Sequence, residues 1–572
     1  MYIAKVPNRN SPPAYLLRES YRENGKVKNR TLANLSSLSR ERIQLISRTL
    51  KGERLVSLDD VFRINRSRPH GHVKAVRQMI NHLGLPNLIA SRRSRPRDLI
   101  VALSAQRILH PSSKLAATRL WKDSTLAEDL QVGDAEVEEV YTAMDWLLGR
   151  QKRIENKLAR RHLDDGSRVM YDVSSSSYTG GTCVLARFGY NRDGRRDLPS
   201  IVYGVMTDAE GRPLTVDVYP GNTADPNTVP DQIEKLKTRF GLSRVVVVGD
   251  RGMLTQTQID TLRQRPGIGW LSALRSEGIR QLIAKGLVQR SLFDEQNLAE
   301  IKSPDFPGER LVVCYNPILH ERRRKKRETL LAATEARLQR IVAEVARRTK
   351  KSLSKDAIGV KVGRVLNKYK VGKHFELTIK DNHFSWQRKQ QQINREADLD
   401  GIYVVRTSEP RQRLSADDAV RNYKQLGDVE QAFRSLKGVD LLVRPFHHHL
   451  EDRVRAHVFV CLLAYYVQWH LKRAWRPLLF AEEDLAGQRA QRDPVAAAEP
   501  SSQLQAKKAS RITPDGHELQ SFRTLLAMLA TQCRNECEFG AGKSVVCYTK
   551  LTASTAPQLE AFRLLDKACS QP

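Results

Sequence analysis

Tyr423, Glu430 and Lys437 follow one another at intervals of seven in the stretch AVRNYKQLGDVEQAFRSLK. On a helix of about 3.6 residues per turn, seven steps are close to two full turns, so the three side chains share one face. A packing face would carry leucines there; an aromatic, a carboxylate and a lysine in one file read as a working surface. Two further carboxylates stand at privileged places. Asp172 lies near the end of the β-rich run RVMYDVSSSSY, and Asp250 ends the run SRVVVVGDRGM, followed by Arg251 and Gly252. Strand ends at the carboxyl edge of a sheet are where α/β folds build sites. Three convergent carboxylates without Cys or His favour hard, oxygen-loving ions, Mg²⁺ or Mn²⁺. Two such ions can clamp an in-line phosphoryl displacement. The acids then serve as ligands and not as proton donors. Taken singly, each acid is as well explained by capping or by pairing with a neighbouring Arg or Lys, and only their joint placement argues for a metal site.

The elements that must position these residues are legible in outline. Residues 1–60 read as short strands and turns, with Asn24-Gly25 a hairpin signal. Residues 61–165 turn helical, with apolar files at Val73, Val76, Ile80 and Leu83, then Leu99 and Leu103, and one long helix from about Ala135 to Leu158. This block is a candidate DNA-end-binding domain, although no helix-turn-helix signature is legible. From Arg168 strands alternate with helices, which predicts an α/β core over 166–280; the four valines before Gly249 suit a strand buried on both sides. Residues 281–400 interrupt the pattern with a long basic helix and a strand running into an Asp-Asn turn, and are expected as an insertion. The core resumes over 401–480: GIYVVRTS is a strand, Ser415 caps one helix carrying the whole Tyr423–Lys437 file, and DRVRAHVFVCLLAYYVQWHLKRAW is an apolar helix packed on the core. Residues 481–514, rich in Ala, Gln, Ser and Pro, are expected as a flexible linker before a tail domain over 515–572.

YDVSSSSY, VVVVGDRGM and the Tyr423…Glu430…Lys437 spacing together resemble the three motifs of DDE-type transposases from bacterial insertion sequences, in the subgroup with a Tyr-x2-Arg-x3-Glu-x6-Lys signature. The resemblance covers roughly residues 165–470. It implies an α/β fold: a ribonuclease H-like catalytic core with an inserted α+β segment, behind a mostly helical N-terminal region. It implies Asp172, Asp250 and Glu430 as the metal-binding triad for Mg²⁺ or Mn²⁺, two ions in all, with Tyr423 and Lys437 on DNA phosphate near the cut. It further implies cleavage at the ends of a mobile element and transfer to target DNA by a homodimer holding both ends. One position departs: Leu426 stands where the signature has arginine. Arg434, one helical turn after Glu430, is a substitute phosphate contact, and Arg251 is another beside Asp250. A nuclease without strand transfer, and a DNA-binding protein with a dead triad, are the alternative readings.

The charge balance fits a polyanionic partner. Lys and Arg number 96 against 64 Asp and Glu in 572 residues, a formal net charge of +32. The run Arg322-Arg323-Arg324-Lys325-Lys326-Arg327 is a phosphate-binding stretch without base specificity. Trp386 lies near the predicted hairpin tip, where related transposases use an aromatic to hold an unstacked base; packing is the plainer reading. Seven scattered cysteines point to a reducing compartment, and the absence of a secretory segment or membrane span predicts a cytoplasmic protein.

Overall fold

The computed structural model describes residues 1–9, 11–53, 57–293, 296–348, 352–540 and 545–570. The chain divides into two compact units. The first comprises Met1–Arg68 with Cys533–Ala553, and the second comprises Pro69–Gln532 with Ser554–Pro572.

In the first unit, Tyr2–Val6, Ala14–Glu23 and Lys26–Asn34 form an antiparallel sheet in sequence order. The hairpin turn falls on Asn24 and Gly25, both at positive φ, between the paired residues Glu23 and Lys26. A helix follows over Arg40–Leu50, capped by the Ser39 hydroxyl. A second sheet joins Phe62–Pro69 to Cys533–Phe539 and Val546–Leu551. Part of the expected tail therefore folds with the N-terminus of the chain.

The second unit is built on an eight-stranded mixed sheet. Its strands are β1 (Arg168–Ser177), β2 (Ser200–Asp208), β3 (Pro213–Pro220), β4 (Val245–Val248), β5 (Ile268–Ala273), β6 (Leu298–Ile301), β7 (Arg310–Tyr315) and β8 (Ile402–Thr407), in the spatial order β6-β7-β8-β5-β4-β1-β2-β3. β1, β4 and β5 run parallel, and every other neighbouring pair is antiparallel. All residues of β2, β4 and β5 are buried, which is why their sequences show no polar face. β6 and β7 lie within the span expected as an insertion, yet they extend this sheet. The remainder of that span has its own core: the helix Pro317–Arg347 turns Leu331, Leu338, Ile341 and Val345 inward against the helix Lys355–Tyr369 and the hairpin Phe375–Lys380/His383–Arg388.

Three helices follow β8: α1 (Ala416–Lys424), α2 (Leu426–Lys437) and α3 (Glu451–Ala474). α3 is buried on nearly all sides and packs against Arg95–Leu109, Val137–Leu148 and β3. No helix among the described residues is long and apolar enough to cross a membrane. Two expectations need correction here. The long helix from Ala135 is two helices, Val137–Leu148 and Gln151–His162, because the chain breaks at Gly149 and Arg150. The expected linker is folded onto its unit through the helices Leu485–Gln491 and Ser502–Ser510. Arg489 forms a bidentate pair with Asp428, Lys424 donates to the carbonyls of Val495 and Ala496, and Lys507 reaches Glu483. Its Ala- and Ser-rich composition conceals these few specific polar anchors.

Candidate active site

Register places the first two acids side by side. In the parallel pair β1–β4, Arg168, Val169 and Met170 stand opposite Val246, Val247 and Val248. Two residues further along each chain are Asp172 and Asp250. β4 ends at Val248, and Asp250 begins a tight turn in which its Oδ1 accepts the amides of Gly252 and Met253 at 2.9 and 2.7 Å. Asp172 is not at a strand end as expected. β1 continues through Ser177, paired with β2, so Asp172 lies mid-strand just past the point where β4 stops. The four serines that follow Val173 are strand residues, and two of them have polar partners: Ser176 Oγ meets the Tyr203 hydroxyl at 2.9 Å, and Ser175 Oγ accepts the Arg192 amide at 2.9 Å.

The electrostatics fit this proximity. Burial raises the Asp172 carboxyl; the Val173 amide opposes the rise, and the charge of Asp250 adds to it, leaving Asp172 at about 7. Arg192 and Asp225 also act on it, the former lowering and the latter raising, and these two form an ion pair of 2.5 Å. Two acids at the carboxyl edge of parallel strands, with Asp225 close enough to raise Asp172 as well, make an environment that a bound cation would relieve.

The Tyr423–Lys437 file is split between two helices, since Gln425 ends α1 and caps α2. Tyr423, at the end of α1, is half-buried, and its hydroxyl is pushed up to about 12 by burial and then by the charge of Asp250, with Arg251 opposing. Tyr423 therefore belongs beside Asp250 and Arg251. At the far end of α2, Lys437 Nζ donates to the Ser175 carbonyl at 2.5 Å and pairs with Asp193 at 3.2 Å. Burial lowers this amine, and Asp193 works against the lowering. The file is thus anchored at both ends, with Glu430 between the anchors on the exposed side of α2 while Val429, Ala432, Phe433 and Leu436 face the core. Seven helical residues advance about 10 Å, and Asp172 lies three strand residues, also about 10 Å, before Ser175. Among the described residues no three His, Cys, Asp or Glu side chains converge closely enough to hold a metal ion. The structure brings Asp172 and Asp250 together and leaves Glu430 exposed on the neighbouring helix.

The remaining candidates fall into two groups. Arg251 and Arg434 are exposed, and Leu426 packs partly against the core. In the insertion, Arg322, Arg323, Arg324, Lys325 and Lys326 are exposed, with Arg324 paired to Glu321 and Arg323 donating to the Leu399 carbonyl. Arg327 turns inward onto Asp400. Trp386 is half-buried in its hairpin, edge-on to Phe375 with ring centroids 5.7 Å apart.

Sequence reasoning missed Asp193. Its carboxylate accepts the Ser177 amide at 3.0 Å and pairs with both Lys437 and Arg444, the latter at 2.5 Å. Burial works to raise this group, and the Ser177 amide, Lys437 and Arg444 outweigh it and hold it below its ordinary value. Nothing in the sequence ties a loop aspartate to a lysine more than two hundred residues away.

A sequence model of the transposase DDE domain matches residues 186–467, which include Asp250, Tyr423, Glu430 and Lys437 and begin after Asp172. A second model, the N-terminal domain of IS1634 family transposases, matches residues 3–57. No curated protein matches the chain. Two such domains in this order, around a basic protein with acids at the edge of a mixed sheet, place the chain among the DDE-type transposases of insertion sequences.

Proposed function

We propose that the protein acts in the bacterial cytoplasm on the terminal inverted repeats of its own element, cleaving DNA at the element ends and joining the freed 3′ hydroxyl to target DNA, with Asp172, Asp250 and Glu430 as metal ligands. The observation that carries this reading is the parallel register that ends at Met170 and Val248, two residues before Asp172 and Asp250, with the Asp172 carboxyl raised by burial and by the charge of Asp250. The sheet supports a ribonuclease H-like core: an antiparallel β1–β2–β3 meander followed by parallel β4 and β5, with α2 laid against β1.

The donor set is all carboxylate oxygen, which suits Mg²⁺ or Mn²⁺. Bound there, two such ions would lower the pKa of the attacking water or hydroxyl and stabilise the leaving oxygen. The protein's own part is positioning. Asp172 is fixed by its strand and Asp250 by its turn. Glu430, exposed on α2, would complete the set as the third ligand. Tyr423 offers a hydroxyl or a ring to the strand being cut. Lys437 is a point charge whose release from Asp193 would make it available to a phosphate. Arg251 and Arg434 supply exposed cations beside the acids, and the insertion's Arg322–Lys326 run contacts backbone further away. A homodimer would hold the two ends together.

The test is a cleavage-and-joining assay on duplexes carrying the element's ends, with Mg²⁺ or Mn²⁺. Wild type should nick and join, while Asp250→Asn and Glu430→Gln should do neither. Nicking without joining would reassign the protein as a nuclease, and no difference between wild type and variants would remove the metal-site reading.

A further inference from the structure

A second charged cluster lies away from the two aspartates. Arg107, Lys114, Tyr141, Arg444, His448 and His457 are among the residues lining a cavity of about 150 Å³, and no Asp or Glu lines it. Arg107, Lys114, His448 and His457 are only 6, 4, 8 and 4% exposed. The hydrogen bonds assign the His457 tautomer. Its Nε2 lies 2.9 Å from the Val443 carbonyl and must donate to it, so Nδ1 is bare and accepts from Lys114 Nζ at 2.5 Å. Lys114 spends one hydrogen on that ring. Arg107 has two long bonds, 3.4 Å each, to the carbonyls of Leu441 and Leu442. Among the described residues neither cation has a carboxylate partner. Buried cations are ordinarily paired, and here the missing partner is an anion.

We infer that this cavity is a phosphate site, with Arg107 and Lys114 as its donors, and that it takes a backbone phosphate of bound DNA. The inference rests on the DNA-processing reading above. Arg444 joins the cavity to the acidic edge: it holds Asp193, Asp193 holds Lys437, and Lys437 donates to the Ser175 carbonyl, three residues along β1 from Asp172. A phosphate held in the cavity is thereby placed on the flank of the strand that carries Asp172. Free inorganic phosphate shares the same chemistry, so both sources must be tested.

The experiment uses the full chain and a duplex of arbitrary sequence, with affinity measured over a range of salt concentration. Arg107→Gln and Lys114→Met should each weaken binding about tenfold and reduce the slope of log affinity against log salt by about 0.9, the value of one phosphate contact. Lys114→Arg should restore the slope. Inorganic phosphate is titrated calorimetrically into DNA-free protein as the second arm. If the variants melt as wild type does and keep its affinity and slope, the inference fails. Phosphate heat with an unchanged DNA slope marks a free-anion site and overturns the DNA assignment. Should Lys114→Met unfold, Arg107→Gln decides alone, since its amide can keep a bond to the carbonyls. In an Asp250→Asn background, which should not cleave element ends, Arg107→Gln should still reduce the slope by the same amount, so failure of the metal-site reading and failure of this one are separable.

Discussion

The acidic edge and the basic cavity are mirror images in charge. At the first, the charges of Asp250 and Asp225 add to the burial that raises Asp172 beside a parallel strand pair. At the second, Arg107, Lys114, His448 and His457 crowd together without a carboxylate. Each gathers like charges where burial makes them costly, and each answers by pushing protonation states toward neutrality. Asp172 rises to about 7, and His448 falls to about 3 through burial and then through the charge of Lys114. They differ in their support. The acids hang from backbone register and a turn, which fix position, whereas the cations hang from side-chain contacts to one another and to loop carbonyls. A site for chemistry needs the first kind of support, and a site that grips a flexible strand tolerates the second.

The largest effect should come from the acidic side. Asp172→Asn is expected to reduce single-turnover cleavage by at least about 10³-fold and to remove the rise in Tm that Mn²⁺ gives wild type. Cleavage within tenfold of wild type, or an unchanged Mn²⁺ response, would break the comparison. Next, Gly204→Ala tests how rigid the backbone support is. Gly204 pairs with Val173, and an added Cβ would meet the Tyr171 hydroxyl and ring edge; the expected cost is about 2 kcal/mol, read by denaturant unfolding. A silent substitution would mean that β1 can shift.

The third concerns pH. His448 has its folded pKa below its unfolded value of about 6.5, so the unfolded chain takes the proton first and stability falls as pH drops from about 6.5 toward about 3. Wild type should lose about 2 kcal/mol at pH 5 that His448→Phe does not lose, measured as unfolding free energy against pH. Parallel curves would show that the cavity is not a strained cationic cluster. The smallest effect links the two regions. Arg444→Gln and Lys437→Met share Asp193, and their double-mutant cycle on stability should show a coupling of about 1 kcal/mol; strict additivity would separate the cavity from the active edge.

Asp250 was legible because four valines announce a buried strand and its end. The place of Asp172 within its strand was not legible, because the run of apolar residues stops at Val173 while the strand continues through serines, two of whose hydroxyls are held by Tyr203, Tyr190 and Arg192. The Tyr423–Lys437 file was found by its period, although Gln425 divides it between two helices. The Asp193 bridge and the cavity were out of reach of sequence, since both depend on residues hundreds of positions apart meeting in the fold. The strand order of the sheet was likewise invisible in a pattern that showed only strands and helices alternating.

The strand pairing of the first unit also sets an order in time. Phe62–Pro69 waits for Cys533–Phe539 to complete its sheet, and roughly 460 residues separate them, on the order of 20–90 s of synthesis. A ribosome still at work therefore carries every strand of the eight-stranded sheet before the N-terminal unit can close, and a chain terminated before Cys533 never closes it at all. Whatever that unit contributes is available only from a fully translated copy.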